Sequence, residues 1–297
     1  MPLLLQRGEP VRALVRPATD AGELRRLGAQ VVRGDLLDPD AVRRAGRGCG
    51  LVFHLAGVVG HERRDLARLR AVNVEGVRIV LQAAESDARI VHVSSVAAVG
   101  PAPAPDRPAD EGQEFPGLAE RFPYASTKRA GERLALEAAA AGRDVLVASP
   151  GFLLGPGDVY GVSTWPVRRY LQGTLRFLSR GGLSYVDARD VAAGLLALAT
   201  RGRAGERTIL TSREGNLSHG EFFRRVAKVT GVQRTLVRLP PRLAVLAATL
   251  VPWPLRPGDV RAATQYWFYS PARAETELGW TTRPLDETIA ATAADAR

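Results

Sequence analysis

RIVHVSS (89–95), PYASTKRAGERLALEAAAAG (123–142) and DVLVASPG (144–151) stand mid-chain as an apolar run, a helical stretch and a second apolar run. Both runs have strand length and are rich in β-branched residues. The stretch between them opens with Pro123 and closes with Gly142, a start and a stop signal for a helix. That order is a strand–helix–strand unit. Upstream, PVRALVR (10–16), AQVVRGD (29–35) and GLVFHLAG (50–57) read as further strands, with helical spacing in DPDAVRRAG (38–46) and from Asp65 to Glu85. Apolar strands of this kind are covered on both faces, so the expected fold is α/β with a doubly wound parallel sheet. GPAPAPDRPADEG (100–112) is too rich in proline for either element. Beyond Gly151 the regularity fails: residues 152–182 and 213–297 are irregular and aromatic-rich, while YVDARDVAAGLLALAT (185–200) reads as one more strand end and helix.

The chain has 297 residues, 45% hydrophobic and 24% charged, which suits one large or two closely packed domains and excludes a disordered, collagen-like or disulfide-dense protein. Cys49 is the only cysteine. No apolar run has the length of a membrane span, and the opening MPLLLQRGEP lacks the pattern of a signal peptide, so a cytoplasmic location is expected. The net charge of +10 is spread along the chain: residues 1–100 carry 15 basic and 11 acidic groups, 101–200 carry 11 and 11, and 201–297 carry 15 and 9. A nucleic-acid binder concentrates its excess on one element, and none is expected here. Of the 41 basic residues 39 are arginines, and only Lys128 and Lys228 are lysines. Where such a chain keeps a lysine, an ammonium that can shift its pKa is a reason to keep it.

Tyr124 and Lys128 are four apart in the 123–142 stretch, so both project from one helix face. A free phenol, with a pKa of about 10, is a poor acid or base at neutral pH, and a neighbouring ammonium is expected to lower it. Tyr124 is thereby a candidate proton donor or acceptor with Lys128 as its tuner. The strand before them delivers Ser94 and Ser95 to the carboxyl edge of the sheet, where open α/β sheets bind ligands. Ser95 is placed to hydrogen-bond a substrate oxygen beside the tyrosine.

At these residues the chain resembles the extended short-chain dehydrogenase/reductases, the NAD-dependent epimerase/dehydratase family. Tyr124-Ala-Ser-Thr-Lys128 is similar to its Tyr-x-x-x-Lys motif, and Ser95, five residues before Gly100, to its catalytic serine. GDLLDPD (34–40) looks like the segment that contacts adenine, VFHLAG (52–57) like the turn against the cofactor, VNVEGV (72–77) like the segment with the structural asparagine, here Asn73, and SPGFLLGPGD (149–158) like the segment flanking the nicotinamide. YVDARDVA and ELGW (277–280) also have family counterparts. The resemblance implies a Rossmann-type dinucleotide-binding domain over 1–155, to which 183–212 returns, and a substrate lobe over 156–297. It implies Ser95, Tyr124 and Lys128 as catalytic residues, and Asp35, Leu36, Leu55, Ala56, Gly57, Ser94, Lys128, Pro150 and Phe152 as cofactor contacts. Homodimers are common in the family.

One family feature has no counterpart here. The pyrophosphate of a dinucleotide is held by backbone N–H groups of a glycine-rich turn at a helix N-terminus, and this turn would precede PVRALVR; the chain opens instead on LLLQRG. Roughly the first two-thirds of the ~30-residue unit is missing, so a start upstream of Met1 is expected, with loss of the unit as the alternative. GRGCG (46–50) follows a helix and is a helix-ending turn, and GPGDVYG (155–161) has Pro156 where an N–H is needed.

Arg16 ends the strand PVRALVR, where an arginine accommodates a ribose 2′-phosphate; NADP is expected, with NAD the alternative. LPPRLAVLAATLVPWPL (239–255) and QYWFYSP (265–271) read first as lobe core. The first is long enough to touch a membrane surface and too short to span a membrane. If some of Trp165, Trp253, Tyr266, Trp267 and Phe268 line the pocket, the substrate has an apolar body, which favours a dihydroflavonol-reductase-like or steroid-dehydrogenase-like enzyme. Arg168, Arg169 and Arg261 would equally serve the diphosphate of a sugar nucleotide. The leading reading is an oxidoreductase acting on a ketone or alcohol. The alternatives are a sugar-nucleotide epimerase or dehydratase and, if Met1 is the true start, a non-catalytic nucleotide-sensing protein. His54, His61, His92 and His219 lack metal-ligand spacing, so no metal is expected, and His54 and His92 are expected to be buried and hydrogen-bonded. Asp187 and Asp190 are expected to cap a helix and bridge segments.

Overall fold

Strands form at each of the five upstream positions: β1 (Arg12–Val15), β2 (Gln30–Arg33), β3 (Leu51–His54), β4 (Arg89–Val93) and β5 (Val145–Pro150). The structure is a computed structural model that describes residues 1–159, 161–250 and 256–296. Its later strands are β6 (Phe152–Leu154), β7 (Phe177–Leu178), β8 (Gly182–Asp187), β9 (Arg207–Leu210), β10 (Asn216–Ser218), β11 (Val237–Arg238) and β12 (Tyr266–Trp267). β3, β4, β5 and β9 are parallel neighbours in that order, with His54 opposite His92 and Pro150 opposite Leu210. β1 and β2 form a second parallel ladder. Among the described residues β1 pairs only with β2 and β3 only with β4, so no ladder joins the two pieces.

Alternation along each strand sends successive side chains to opposite faces, and both faces are covered. Ile90, Val145 and Val147 are buried with Ala135 of the Pro123–Ala140 helix on one face. Val91, Leu146 and Ala148 are buried on the other with Val191 and Leu198 of the Ala188–Arg201 helix and with Trp280. The Pro39–Gly46 helix starts as its sequence suggests, with Pro39 in the first turn and the Asp38 carboxylate accepting from Asp40 N at 2.9 Å. The 65–85 stretch is interrupted: Leu66–Arg70 and Gly76–Ala83 are α-helical, and Ala71–Glu75 between them is a wide π turn.

Downstream, the 185–200 segment divides between two sheets. Its helix covers the large parallel sheet and β9 joins that sheet, but β8 pairs with β6, β10 and β12 instead. The free edge of β5 is already taken by β9, and the chain turns out of β5 at Gly151 into β6, which draws β8 into the other sheet. The stretches that looked irregular contain helices at Trp165–Leu171, His219–Thr230, Pro241–Leu250, Pro257–Ala263, Ala272–Leu278 and Leu285–Asp295. The His219–Thr230 helix had a readable signature: a capping box between Ser218 and Glu221 and a left-handed Gly231 at its end. Among the described residues no helix is long and apolar enough to cross a membrane.

Candidate active site

The Pro123–Ala140 helix lies close to the wide turn because Gly131 has no side chain; a Cβ there would sit 2.0 Å from the Asn73 carbonyl oxygen. Asn73 in turn holds the segment after β3. Its Oδ1 accepts from Val58 N and its Nδ2 donates to Val58 O, both at 3.0 Å. Gly57 is thereby set against the helix, where a Cβ would lie 3.8 Å from Lys128 Nζ. π turns are frequent at functional sites, and this one couples Gly57 to Lys128.

Lys128 is buried, and its ammonium donates to Val93 O at 3.0 Å. Tyr124 is half-buried, its ring meets His61 edge-on at 5.9 Å, and its hydroxyl hydrogen-bonds with Ser95. The lysine and the tyrosine therefore rest two residues apart on the carboxyl end of β4. The Ser95 oxygen also accepts from Ala97 N at 3.2 Å, capping the turn Val96–Ala98. Ser94 points the other way and donates to Glu132 at 2.6 Å.

Burial pushes the Tyr124 phenol up, and the bond with Ser95 opposes it. This corrects the expectation that Lys128 lowers it: burial is the larger effect, and the group bonded to the phenol is Ser95, while the ammonium donates to Val93. Burial also pushes Lys128 down, from 10.5 to about 8, against the attraction of Glu132. The unfolded ammonium titrates near 10.5 and the folded one near 8, so between these values the unfolded chain holds the extra proton and stability rises with pH. Urea unfolding should show a gain of about 2–3 kcal/mol from pH 7.5 to pH 10 that Lys128→Met does not show. An equal gain in both proteins would contradict the burial of a charged Lys128.

Glu132, which sequence reading did not single out, is fully buried. Besides Ser94 it accepts from Ser149 Oγ at 3.4 Å and from Arg207 Nε at 2.7 Å, with a second Arg207 bond through Nη2. Its spacing was the available signal, since residues 124, 128 and 132 share a helix face; nothing in the sequence pointed to Arg207. His54 and His92 are buried as expected. Their Nδ1 atoms are 3.1 Å apart, both Nε2 atoms lack a partner among the described residues, and burial beside Lys128 holds both rings below the usual histidine range, His54 at about 4.

The other expected residues are spread along the sheet edge. Leu55, Ala56 and Gly57 are exposed after β3, and Pro150 is buried at the end of β5. Arg16 is exposed just beyond β1, where its carbonyl accepts from Arg33 at 3.0 Å. The Asp35 carboxylate accepts from Leu37 N at 2.9 Å, while Leu36 packs against Gly76. Phe152 turns into the lobe, edge-on to Tyr185 at 5.6 Å. Trp267 and Phe268 are buried, with Trp267 Nε1 bonded to Ala262 O at 2.9 Å. Trp165 lies under the Arg169 guanidinium, and Trp253 is outside the described residues. In the 155–161 loop the N–H groups of Gly155 and Gly157 are taken by Thr292 and Asp295. Asp187 caps its helix through Arg189 N, and Asp190 binds Arg283 through Nε and Nη2.

Three similarities accompany this geometry. A Synechocystis sp. protein bearing a dihydroflavonol 4-reductase name is 31% identical over 97% of this chain and 87% of its own length. Sterol demethylase protein B of Methylococcus capsulatus is 31% identical over 81% of this chain and 73% of its own. The crystal structure of gox2253 superposes with a TM-score of 0.86 at 28% identity, covering 99% of this chain and 92% of that one. The sequence profile of the NAD dependent epimerase/dehydratase family matches residues 1–210, and the chain belongs to that family.

Proposed function

We propose that this nicotinamide-dependent enzyme is a reductase that takes NADP(H) and a ketone or alcohol with an apolar body, with Tyr124 as its proton donor. The observation that carries the reading is the meeting of Tyr124, Ser95 and Lys128 on the carboxyl end of β4. The nicotinamide supplies or receives the hydride when bound. Tyr124 gives its proton to the substrate oxygen, and Ser95 orients that oxygen. A phenol kept protonated by burial suits the reducing direction.

The residues present fit the nicotinamide-ribose end of the cofactor. Lys128 Nζ has three N–H donors and uses one among the described residues, and Gly57 beside it leaves the room a side chain would fill. Leu55, Ala56 and Pro150 would border this end, whereas the side chains of Ser94, bonded to Glu132, and Phe152, packed on Tyr185, turn away from it; Arg16 would face a 2′-phosphate and Asp35 and Leu36 the adenine. For the pyrophosphate, no described loop offers a glycine-rich cradle. The cofactor domain is assigned to 1–155 with the return of 183–212, and the substrate lobe to 156–297; a cytoplasmic location and a homodimer complete the proposal. The names of the two relatives, a sterol and a flavonol, support the apolar substrate.

Substrate-dependent NADPH consumption tests the reading, because an epimerase would convert its substrate with no net consumption. In the same assay Arg16→Ala should lose preference for NADPH over NADH by roughly 10- to 100-fold, the worth of a charge-assisted bond. Unchanged preference would remove Arg16 from the cofactor site.

A further inference from the structure

The Pro241–Leu250 helix is apolar on two opposite faces. Ala244 and Ala248 are buried with Val260, and Leu239 and Val245 pack beside them. On the far side Leu243, Leu246 and Leu250 are 54%, 52% and 72% exposed, and with the exposed Ala247 they follow i, i+3, i+4, i+7 spacing. The outer face of a helix on a globular protein ordinarily carries charge at these positions; here it is a continuous leucine stripe.

The stripe has a positive rim. Arg63 and Arg64 line a cleft with Ala248 and Thr249, and Arg242 lies on the helix itself. All three arginines are exposed, and none has a carboxylate partner among the described residues. The nearby carboxylates face other partners: Glu62, in the same cleft, accepts from Gly258 N at 2.7 Å, Asp65 accepts from Glu62 N at 3.1 Å and pairs with Arg256 at 3.7 Å, and Asp259 accepts from Arg256 N at 2.9 Å, so that basic groups still outnumber acidic ones on the rim. An apolar stripe flanked by free arginines is the pattern of a helix that lies in a membrane interface.

We infer that this face docks on an anionic phospholipid surface, with the helix in the plane of the interface. Ten residues of helix reach about 15 Å, half the hydrocarbon thickness, so the segment lies on the bilayer and does not cross it. Pairing of two copies through the same face would set like arginines against one another. The helix beneath the stripe, Pro257–Ala263, leads to the reacting end of the site: Val260 packs on Ala244 and Ala248, Gly258 packs on the His61 carbonyl, and the His61 ring packs on Tyr124.

Flotation of the full chain with vesicles tests this without any assay of turnover. The protein should float with vesicles of equal parts phosphatidylglycerol and phosphatidylcholine, stay behind with phosphatidylcholine alone, and be released by salt. Leu246→Glu with Leu250→Glu should lower vesicle affinity by at least about tenfold. Arg63→Ala with Arg64→Ala should lower it about fivefold per arginine. Because these side chains are exposed, the thermal midpoint should not move. Three results would overturn the inference: no flotation with anionic vesicles, equal flotation of the leucine variant, or a solution dimer that the leucine substitutions convert to monomer.

Discussion

Replacing Glu132 by Ala should destabilise the protein by about 3–5 kcal/mol, because it leaves the Arg207 guanidinium buried without its counter-charge. Glu132 has no exposed surface and the Arg207 side chain is 8% exposed, so water cannot take over the lost bonds. The same carboxylate receives Ser94 and Ser149, so it joins the site helix to β4, β5 and β9 at once. A double replacement, Glu132→Leu with Arg207→Met, should recover more than half of the loss, since removing both charges also removes their desolvation cost. Urea denaturation of the three proteins decides it. A loss below about 1 kcal/mol for the single variant would mean that the pair is hydrated in solution.

Tyr124→Phe should leave stability nearly unchanged and lower kcat by a factor on the order of 10² to 10⁴, the usual contribution of a positioned proton donor. The ring keeps its edge contact with His61 and its packing against the core cluster that contains Phe122 and Trp267, so only the hydroxyl and its bond with Ser95 are removed. The comparison needs an apolar ketone that the wild-type chain reduces, read by NADPH absorbance, with thermal melts run in parallel. Turnover within a few-fold of wild type would take the proton-transfer role away from Tyr124. A fall in kcat together with a large loss of stability would make the hydroxyl a structural group instead.

The strands of the parallel sheet and the helices between them were legible because each carries its own signal: β-branched runs of strand length, Asp38–Pro39 and Pro123 at helix starts, Gly142 after a helix end. The lobe was harder to read. Its strands are two to six residues long, and β8 finds partners from three separate parts of the chain. Pairing between distant short segments leaves no periodicity within any one of them. The direction of the Tyr124 shift was misread for a related reason. Four-residue spacing places two side chains on one face but does not say that burial will be the larger effect on the phenol or which acceptor the ammonium reaches, and here that acceptor is Val93.

Sequence by itself determined the α/β class, the order of the parallel strands' units, and the placement of Tyr124 and Lys128 on one helix face, because these follow from local periodicity and fixed helical geometry. Tertiary structure alone decided that Ser95 partners the phenol, that Glu132 and Arg207 form a buried pair beneath the site, and that three leucines of the Pro241–Leu250 helix face outward. Those facts depend on which distant segments pack together and what they exclude from water. No window of neighbouring residues encodes that.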